Sequence, residues 1–406
     1  MDTHSYSHSS LLTRRVIEVI DRDHIAKRLT AGEKLRVKLG IDTNKPDLHI
    51  GHAIPLWKLR EFQDAGHTAV LILGDYTSQL GDPTDRSEAR KTISEEETKA
   101  NAAKCLDQVF KILDSDKTEI RYNSEWFDTF NLRDTINLMG ATTLNQLLAH
   151  ETFANRLSGG TPLYTHEILY PLLQGYDSVM VEADLELGGL DQKFNVLMGR
   201  TIQRAHNKPE QDVMLFAYLP GTDGQAKMSK SLGNTVNLSD TPNDMFGKVM
   251  SIPDDLLASY FELATSLPEK DIEVTLARLS SGELHPRDAK VILAKQIVSQ
   301  YHNQDAADKA EEHFNKVFRD KQTPEDIETL ILPQGTYDLA DILVTRSTLI
   351  SSKSEFRRLV QQRGIKVNQK PVEDLAATIA TEQGDDIIIQ VGARRFIKVN
   401  WKVGAK

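Results

Sequence analysis

The sequence predicts an α/β chain: a doubly wound parallel sheet, then an α-helical block, then a small α+β module. Three observations carry this reading. Residues 69–74 form an unbroken apolar run, as in a strand buried on both faces. Strand-like and helix-like stretches alternate from residue 35 to about 219, the pattern of a sheet with helices on both sides. From about 241 to 328 the periodicity is helical, after which short strands return around one basic amphipathic helix.

Residues 35–41 alternate like a strand and 52–63 read as a helix. Ser94 with Glu97 is a capping box that opens a helix expected to reach Leu113. Residues 184–187 form a strand feeding Gly188 and Gly189, and a helix follows over 191–204. Residues 213–219 are a strand leading into a loop punctuated by Gly221, Gly224 and Gly233. The clearest helix of the next block is 286–318, and a linker with Pro324, Pro333 and Gly335 ends that block. A helix over 354–362 and strands at 365–367, 387–391 and 395–399 complete the chain. The expected domains are 1–240, 241–330 and 337–406.

Composition narrows the function classes. The 406 residues carry a net charge of −10, which argues against indiscriminate nucleic-acid binding. Residues 337–406 nonetheless hold 12 Lys and Arg against 8 Asp and Glu, so an acidic body ends in a basic tail. No apolar run is long enough to span a membrane. The polar first ten residues read as a frayed start rather than a targeting segment. Cys105, the single cysteine, excludes an internal disulfide and suits a reducing cytoplasm; its spacing with Val109 and Leu113 marks it as core.

Neither common nucleotide fingerprint, G-x-x-x-x-G-K-[ST] or G-x-G-x-x-G, is present. Two other strings stand at strand ends instead. Pro46-Asp47-Leu48-His49-Ile50-Gly51-His52 puts two imidazoles one turn apart where a helix begins, at the end that attracts phosphate. Gly51 there lets a base or ribose approach the backbone. Lys227-Met228-Ser229-Lys230-Ser231 puts two ammonium groups on the glycine-punctuated loop, as mobile charge for a polyphosphate. A surface histidine pair or a merely soluble lysine loop is the bland reading of each string alone. Their joint placement at strand ends favours activation of a carboxylate by ATP, in which positioning and charge neutralisation do most of the chemistry.

The two strings resemble the signature pair of the class I aminoacyl-tRNA synthetases. Thr77-Ser78-Gln79-Leu80-Gly81-Asp82-Pro83, Tyr170-Pro171-Leu172-Leu173-Gln174-Gly175-Tyr176-Asp177 and Gly188-Gly189-Leu190-Asp191-Gln192-Lys193-Phe194-Asn195 are similar to the bacterial tyrosyl-tRNA synthetase family. The tail from about 339 to 401 is similar to the alpha-L RNA-binding module that ends those enzymes. The resemblance implies a Rossmann-like catalytic domain, an anticodon-binding helical domain and an RNA-binding tail. It implies an adenylate site of Gly40, Asp42, His49, Gly51, His52, Gly189 and Asp191, with Lys227, Met228, Ser229, Lys230 and Ser231 acting on the triphosphate. It implies a tyrosine site of Lys38, Thr77, Asp82, Tyr170, Gln174, Asp177 and Gln192, in which Asp177 accepts from the phenol. A buried acceptor matched to a hydroxyl rejects the analogue lacking it, and tyrosine against phenylalanine in this family is the standard illustration of that rule.

Magnesium is expected with ATP, and a homodimer follows by resemblance alone. Tyrosine and tRNA(Tyr) are the expected partners, with Arg357, Arg358, Lys366, Arg394 and Arg395 as candidate tRNA contacts and no protein metal site. The chain departs from the family pattern at Lys38, where a second tyrosine is common, at Thr43-Asn44 and at Leu190. A tryptophan enzyme on the same scaffold, a non-catalytic RNA-binding paralogue and a small-molecule nucleotidyltransferase are the alternatives. Asp177 and the basic tail speak against the first, the intact histidine and lysine strings against the second, and the tail against the third.

Overall fold

The computed structural model describes residues 8–83, 93–318, 328–347, 349–381, 386–392 and 395–402. Strands β1 (Val16–Ile20), β2 (Arg36–Asp42), β3 (Thr68–Gly74), β4 (Thr118–Tyr122), β5 (Leu185–Gly189) and β6 (Asp212–Phe216) form one sheet in the order β1-β6-β5-β2-β3-β4. All neighbours pair in parallel except β1, which closes the β6 edge antiparallel. The apolar run proves to be β3, with Val70, Leu71, Ile72 and Leu73 fully buried, as a strand covered on both faces requires.

The chain builds outward from β2 through β3 to β4, then returns to β5 on the other side of β2. The topological switch point therefore lies between β2 and β5, beyond whose carboxyl ends an open α/β sheet places its ligands. Helix Ile50–Asp64 follows β2, and helices Tyr170–Met180 and Lys193–Ala205 flank β5. The last two approach so closely that a Cβ on Gly175 would lie 2.8 Å from Ile202 Cγ1 and 3.2 Å from the Met198 carbonyl oxygen.

Several elements differ from expectation. The helix opened by Ser94 ends at Val109, because Ile112 and Leu113 turn back to bond the Val109 carbonyl and bury themselves there. The long helix of the second block is two, Pro286–Tyr301 and Gln304–Phe318, broken where His302 leaves helical geometry at φ −126°, ψ −94°. Residues 1–307 form one compact unit, so most of the helical block lies in it; Trp57 Nε1, for example, donates to Tyr301 OH at 3.1 Å.

Residues 308–406 form the second unit. Its strands are β7 (Thr329–Pro333), β8 (Thr336–Asp338), β9 (Ile365–Val367), β10 (Lys370–Pro371), β11 (Thr378–Ala380), β12 (Asp386–Val391) and β13 (Arg395–Lys402). Five of them make a sheet in the order β10-β9-β12-β13-β7, and β11 pairs with β8. The stretch expected as a linker through Pro333 is thus partly a strand, since β7 runs parallel to β13 from Thr329 to Pro333. Proline tolerates that place because it ends an edge strand. Leu343, Phe356, Ile389 and Ile397 belong to a core of this unit's own.

Candidate active site

The first cluster is set by the helix that follows β2. His49 is its N-cap residue, with extended backbone at φ −116°, ψ 168°, and His52 lies one turn on. The rings stack with centroids 3.6 Å apart, and the His49 N–H donates to His52 Nδ1 at 3.3 Å. Burial pushes His49 down to about 2, with His52, Lys230 and Lys227 adding to the effect. His52 is more open to solvent than His49; desolvation within the cluster and the same two lysines lower it from its ordinary range. Both imidazoles are therefore neutral near pH 7, each able to donate one N–H at the positive end of a helix.

The lysine loop comes back to this cluster. Asn237 bridges His49, the Met228 N–H donates to the Leu219 carbonyl, and Asn234 Oδ1 accepts from the Ser229 N–H at 2.8 Å. Lys230 Nζ donates to the Asp47 carbonyl and lies 3.6 Å from its carboxylate. Lys227 Nζ sits 3.4 Å from Asp191 Oδ2 and 5.3 Å from the centroid of Tyr218. Ser231 Oγ is 3.0 Å from Ser229 Oγ. Burial lowers the Lys230 ammonium from its ordinary range.

The second cluster lies beside it at the carboxyl ends of β2, β3 and β5. Asp42 accepts from Thr77 Oγ1 at 3.0 Å and from the Tyr170 hydroxyl at 3.1 Å. Gly74 makes this possible, since a Cβ there would run into Thr77 Oγ1 and Asp42 Oδ1. Asp82 accepts from Gln192 Nε2 at 2.7 Å. Burial holds the Tyr170 phenol well above its usual range, with Asp42 and Asp82 reinforcing it. Gly40 is exposed at the strand end with open space above it, and Gly189 lies against Asp191.

Asp177 is almost fully buried on helix Tyr170–Met180. Trp126 Nε1 donates to its Oδ1 at 3.0 Å and Asn123 Nδ2 to its Oδ2 at 3.4 Å. Burial pushes its carboxyl up to about 7, against the pull of Lys38 and those two donors. The sequence reading missed Asn123 and Trp126, which lie just past β4. Asn123 stands at the carboxyl end of a parallel strand, so recognising β4 would have pointed to it. Lys38, expected near the phenol, is wholly buried; its ammonium contacts Gln174 O at 3.0 Å, Ser178 Oγ at 2.7 Å and Glu186 Oε1 at 2.9 Å.

In the tail, Arg357 and Arg358 are exposed on helix Lys353–Gln361 and Lys366 is half-buried on β9. Arg395 instead bonds the Leu349 carbonyl and lies 3.3 Å from Glu355. Arg394 lies outside the described residues. Burial pushes the Cys105 thiol up to about 12, in keeping with its reading as core. Among the described residues no group of three or more His, Cys, Asp or Glu is arranged to hold a metal.

An open parallel sheet with paired imidazoles and two loop lysines at its switch point defines the catalytic half of a class I synthetase. Residues 30–319 match the family described as tRNA synthetases class I (W and Y), and the chain belongs to that family. Residues 339–387 match the S4 domain. The chain is 44% identical over 398 residues to a tyrosine–tRNA ligase of Carboxydothermus hydrogenoformans, covering 96% of each protein. It is 43% identical over 390 residues to that of Thermotoga maritima, again 96% of each.

Among solved structures, a mitochondrial tyrosyl-tRNA synthetase of Aspergillus nidulans superposes with TM-score 0.64 at 23% identity, over 77% of this chain and 94% of that one. The tryptophanyl-tRNA synthetase of Plasmodium falciparum does so with 0.59 at 16% identity, over 76% and 90%. These likenesses establish the fold; since both amino acids are represented, the fold does not choose between them.

Proposed function

We propose that the protein is a tyrosine–tRNA ligase. It joins tyrosine to ATP as tyrosyl-adenylate with release of pyrophosphate, then passes the tyrosyl group to the 3′ end of tRNA(Tyr). The observation that carries the choice of tyrosine is the 44% and 43% identity, over 96% of the chain, to tyrosine–tRNA ligases; Asp177, a buried carboxylate held by Trp126 and Asn123 on the helix that also bears Tyr170 and Gln174, is the acceptor for the phenol. An indole N–H can also donate to a carboxylate, as Trp126 does here, so Asp177 supplies the acceptor that a phenolic hydroxyl requires and the likeness to tyrosine enzymes chooses between the two.

In this reading the tyrosine carboxylate attacks the α-phosphorus of ATP and pyrophosphate leaves. His49 and His52 donate neutral N–H groups to the phosphates, and Lys227 and Lys230 swing from their resting carboxylates onto charge that develops on the departing pyrophosphate. Ser231, Met228 and Ser229 shape the loop. Asp42, Gly40, Gly51, Gly189 and Asp191 line the adenylate, while Asp82, Thr77, Tyr170, Gln174 and Gln192 surround the α-ammonium and carboxylate. Magnesium enters with the nucleotide, as part of the substrate.

The division of labour follows the chain. Residues 1–240 activate the amino acid, the helical block to about 330 meets the anticodon arm, and the tail binds RNA through Arg357, Arg358 and Lys366. Arg394 and Arg395 stay candidates there, the latter only if its bond to Glu355 opens. A symmetric dimer is supported by exposed apolar side chains on two successive helices, Leu132 at 76% and Ile136 at 59% with Met139 on one and Leu144 on the next. No helix of the described residues is long and apolar enough to cross a membrane, and a cytoplasmic setting suits the reaction.

The test is exchange of radioactive pyrophosphate into ATP. Tyrosine should support it and tryptophan should not; exchange with tryptophan alone would replace this reading with its neighbour on the same fold.

A further inference from the structure

Lys38 and Glu186 face each other across the switch point, as direct register partners on β2 and β5. Both side chains are sealed from water, and the ammonium and carboxylate meet at 2.9 Å. A buried ion pair persists only where its remaining donors and acceptors are met, and here they are met by one segment of one helix together with Gln211. Lys38 Nζ donates to Gln174 O and Ser178 Oγ. Glu186 accepts from Gln174 Nε2 at 3.2 Å and from Ser178 Oγ at 3.1 Å. Gln211 Nε2 closes the network on Glu186 from β6's side and also bonds the Val196 carbonyl. Gly199 leaves the room for it, since a Cβ there would run into the Gln211 amide.

Residues 174 and 178 bracket Asp177. We propose that Lys38 is a positioning residue of the phenol pocket: paired with Glu186, it clamps the turn from Gln174 to Ser178 and fixes the Asp177 carboxylate toward the substrate hydroxyl without touching substrate itself. This rests on the tyrosine reading above.

The electrostatics agree with the geometry. The charged and titratable groups around Asp177 are Lys38 from β2, Glu186 from β5 and Tyr170 on its own helix, with Asp42 and Asp82 beyond Tyr170. Lys38 favours the Asp177 carboxylate and Glu186 opposes it. The two halves of the clamp therefore act on Asp177 with opposite sign.

The experiment is the pH profile of 1/KM for tyrosine in pyrophosphate exchange, with KM for ATP measured alongside. The parent protein should show an acid limb near 7. Lys38→Met should raise the tyrosine KM about tenfold or more at pH 7.5 and move that limb up by about one pH unit. Glu186→Gln keeps the shape of the side chain, and Ser178 and Gln211 can turn to accept from its amide; it should move the limb down. KM for ATP should stay within about twofold in both, because a clamp on the phenol pocket leaves the triphosphate contacts untouched.

Limbs that stay at the parent value, or that move in the same direction, overturn the proposal. If Lys38→Met does not fold by circular dichroism, Glu186→Gln decides alone, and a limb that rises or stays put overturns it. A parent protein with no tyrosine-dependent exchange would instead sink the tyrosine reading, a separate outcome.

Discussion

Lys227 rests its ammonium 3.4 Å from the Asp191 carboxylate, joining the lysine loop to the carboxyl end of β5 across 36 residues of chain. Lys230 rests in the same manner on Asp47, two residues before His49. Both cations are thus held beside protein carboxylates, at the edge of the proposed nucleotide site. A group that meets its target only as charge develops lowers the barrier without tightening the ground state. Lys230→Ala is therefore expected to slow single-turnover adenylate formation by about 10²-fold, while the tyrosine dissociation constant stays within about twofold. A matching loss of tyrosine affinity would show that Lys230 acts in binding instead.

If Asp177 accepts from the phenol as proposed, it should set the pH dependence of tyrosine use. Its carboxyl is pushed up to about 7, so it gains a proton as pH falls through neutrality and becomes a weaker acceptor for the phenol. The tyrosine KM should rise as pH drops from 8 to 6 and level off above. The folding linkage has the opposite sense: the folded state keeps a proton that the unfolded chain releases near its ordinary value of about 4. This one group therefore costs stability as pH rises from about 4 to about 7. Asp177→Asn should raise the tyrosine KM about ten- to a hundredfold, the size of one bond to a charged acceptor, and flatten the profile in steady-state exchange.

The readable parts of this chain were those where one residue type had one job. β3 declared itself by apolar continuity, and the helix after β2 by the histidine string at its start. β1 and β7 did not, because each is a short edge strand whose partner, β6 or β13, lies far away in sequence. Asn123 and Trp126 escaped for a similar reason: nothing local links them to Asp177, which is 51 residues beyond Trp126. Lys38 shows the remaining limit. Its position in the pattern was plain, but the direction of its ammonium depended on Glu186 and Ser178, both brought in by tertiary contact.

The helix that carries His49 and His52 is anchored at its other end by charge. Glu61 meets Arg15 at 2.5 Å and Lys58 at 2.5 Å, with Arg14 at 3.8 Å, and the Glu61, Arg15 and Lys58 side chains are almost or wholly buried. Arg14 and Arg15 also bond the carbonyls of Leu263, Thr265 and Leu267, which ties the N-terminal segment to the end of helix Leu257–Ala264. Glu61→Gln leaves the cations of this cluster without their carboxylate, and should lower stability by about 3–5 kcal/mol in denaturant titration. Burial pushes the Lys58 ammonium down to about 8. The folded state thus sheds a proton between about 8 and 10.5 that the unfolded chain keeps, so this lysine adds stability as pH climbs through that window. A Glu61→Gln protein as stable as the parent would mean that water reaches the cluster.

The tail can be removed only at one place if the rest is to stay intact. β7 belongs to the sheet of β13, so a cut at 337 would strand Thr329–Pro333 without its neighbour and expose an apolar edge. A cut before residue 328 removes β7 with its sheet and the tail's separate core. That shortened protein should form tyrosyl-adenylate at close to the parent rate. Its charging of tRNA should weaken, and the logarithm of its kcat/KM for tRNA should fall less steeply with the logarithm of salt, because each RNA phosphate that the protein no longer neutralises takes close to one counterion out of the slope. Arg357→Ala with Arg358→Ala in the full chain should reproduce part of the flattening without touching adenylate formation. An unchanged salt slope in both proteins would assign RNA binding to the helical block, and loss of adenylate formation on truncation would show that the catalytic unit needs the tail.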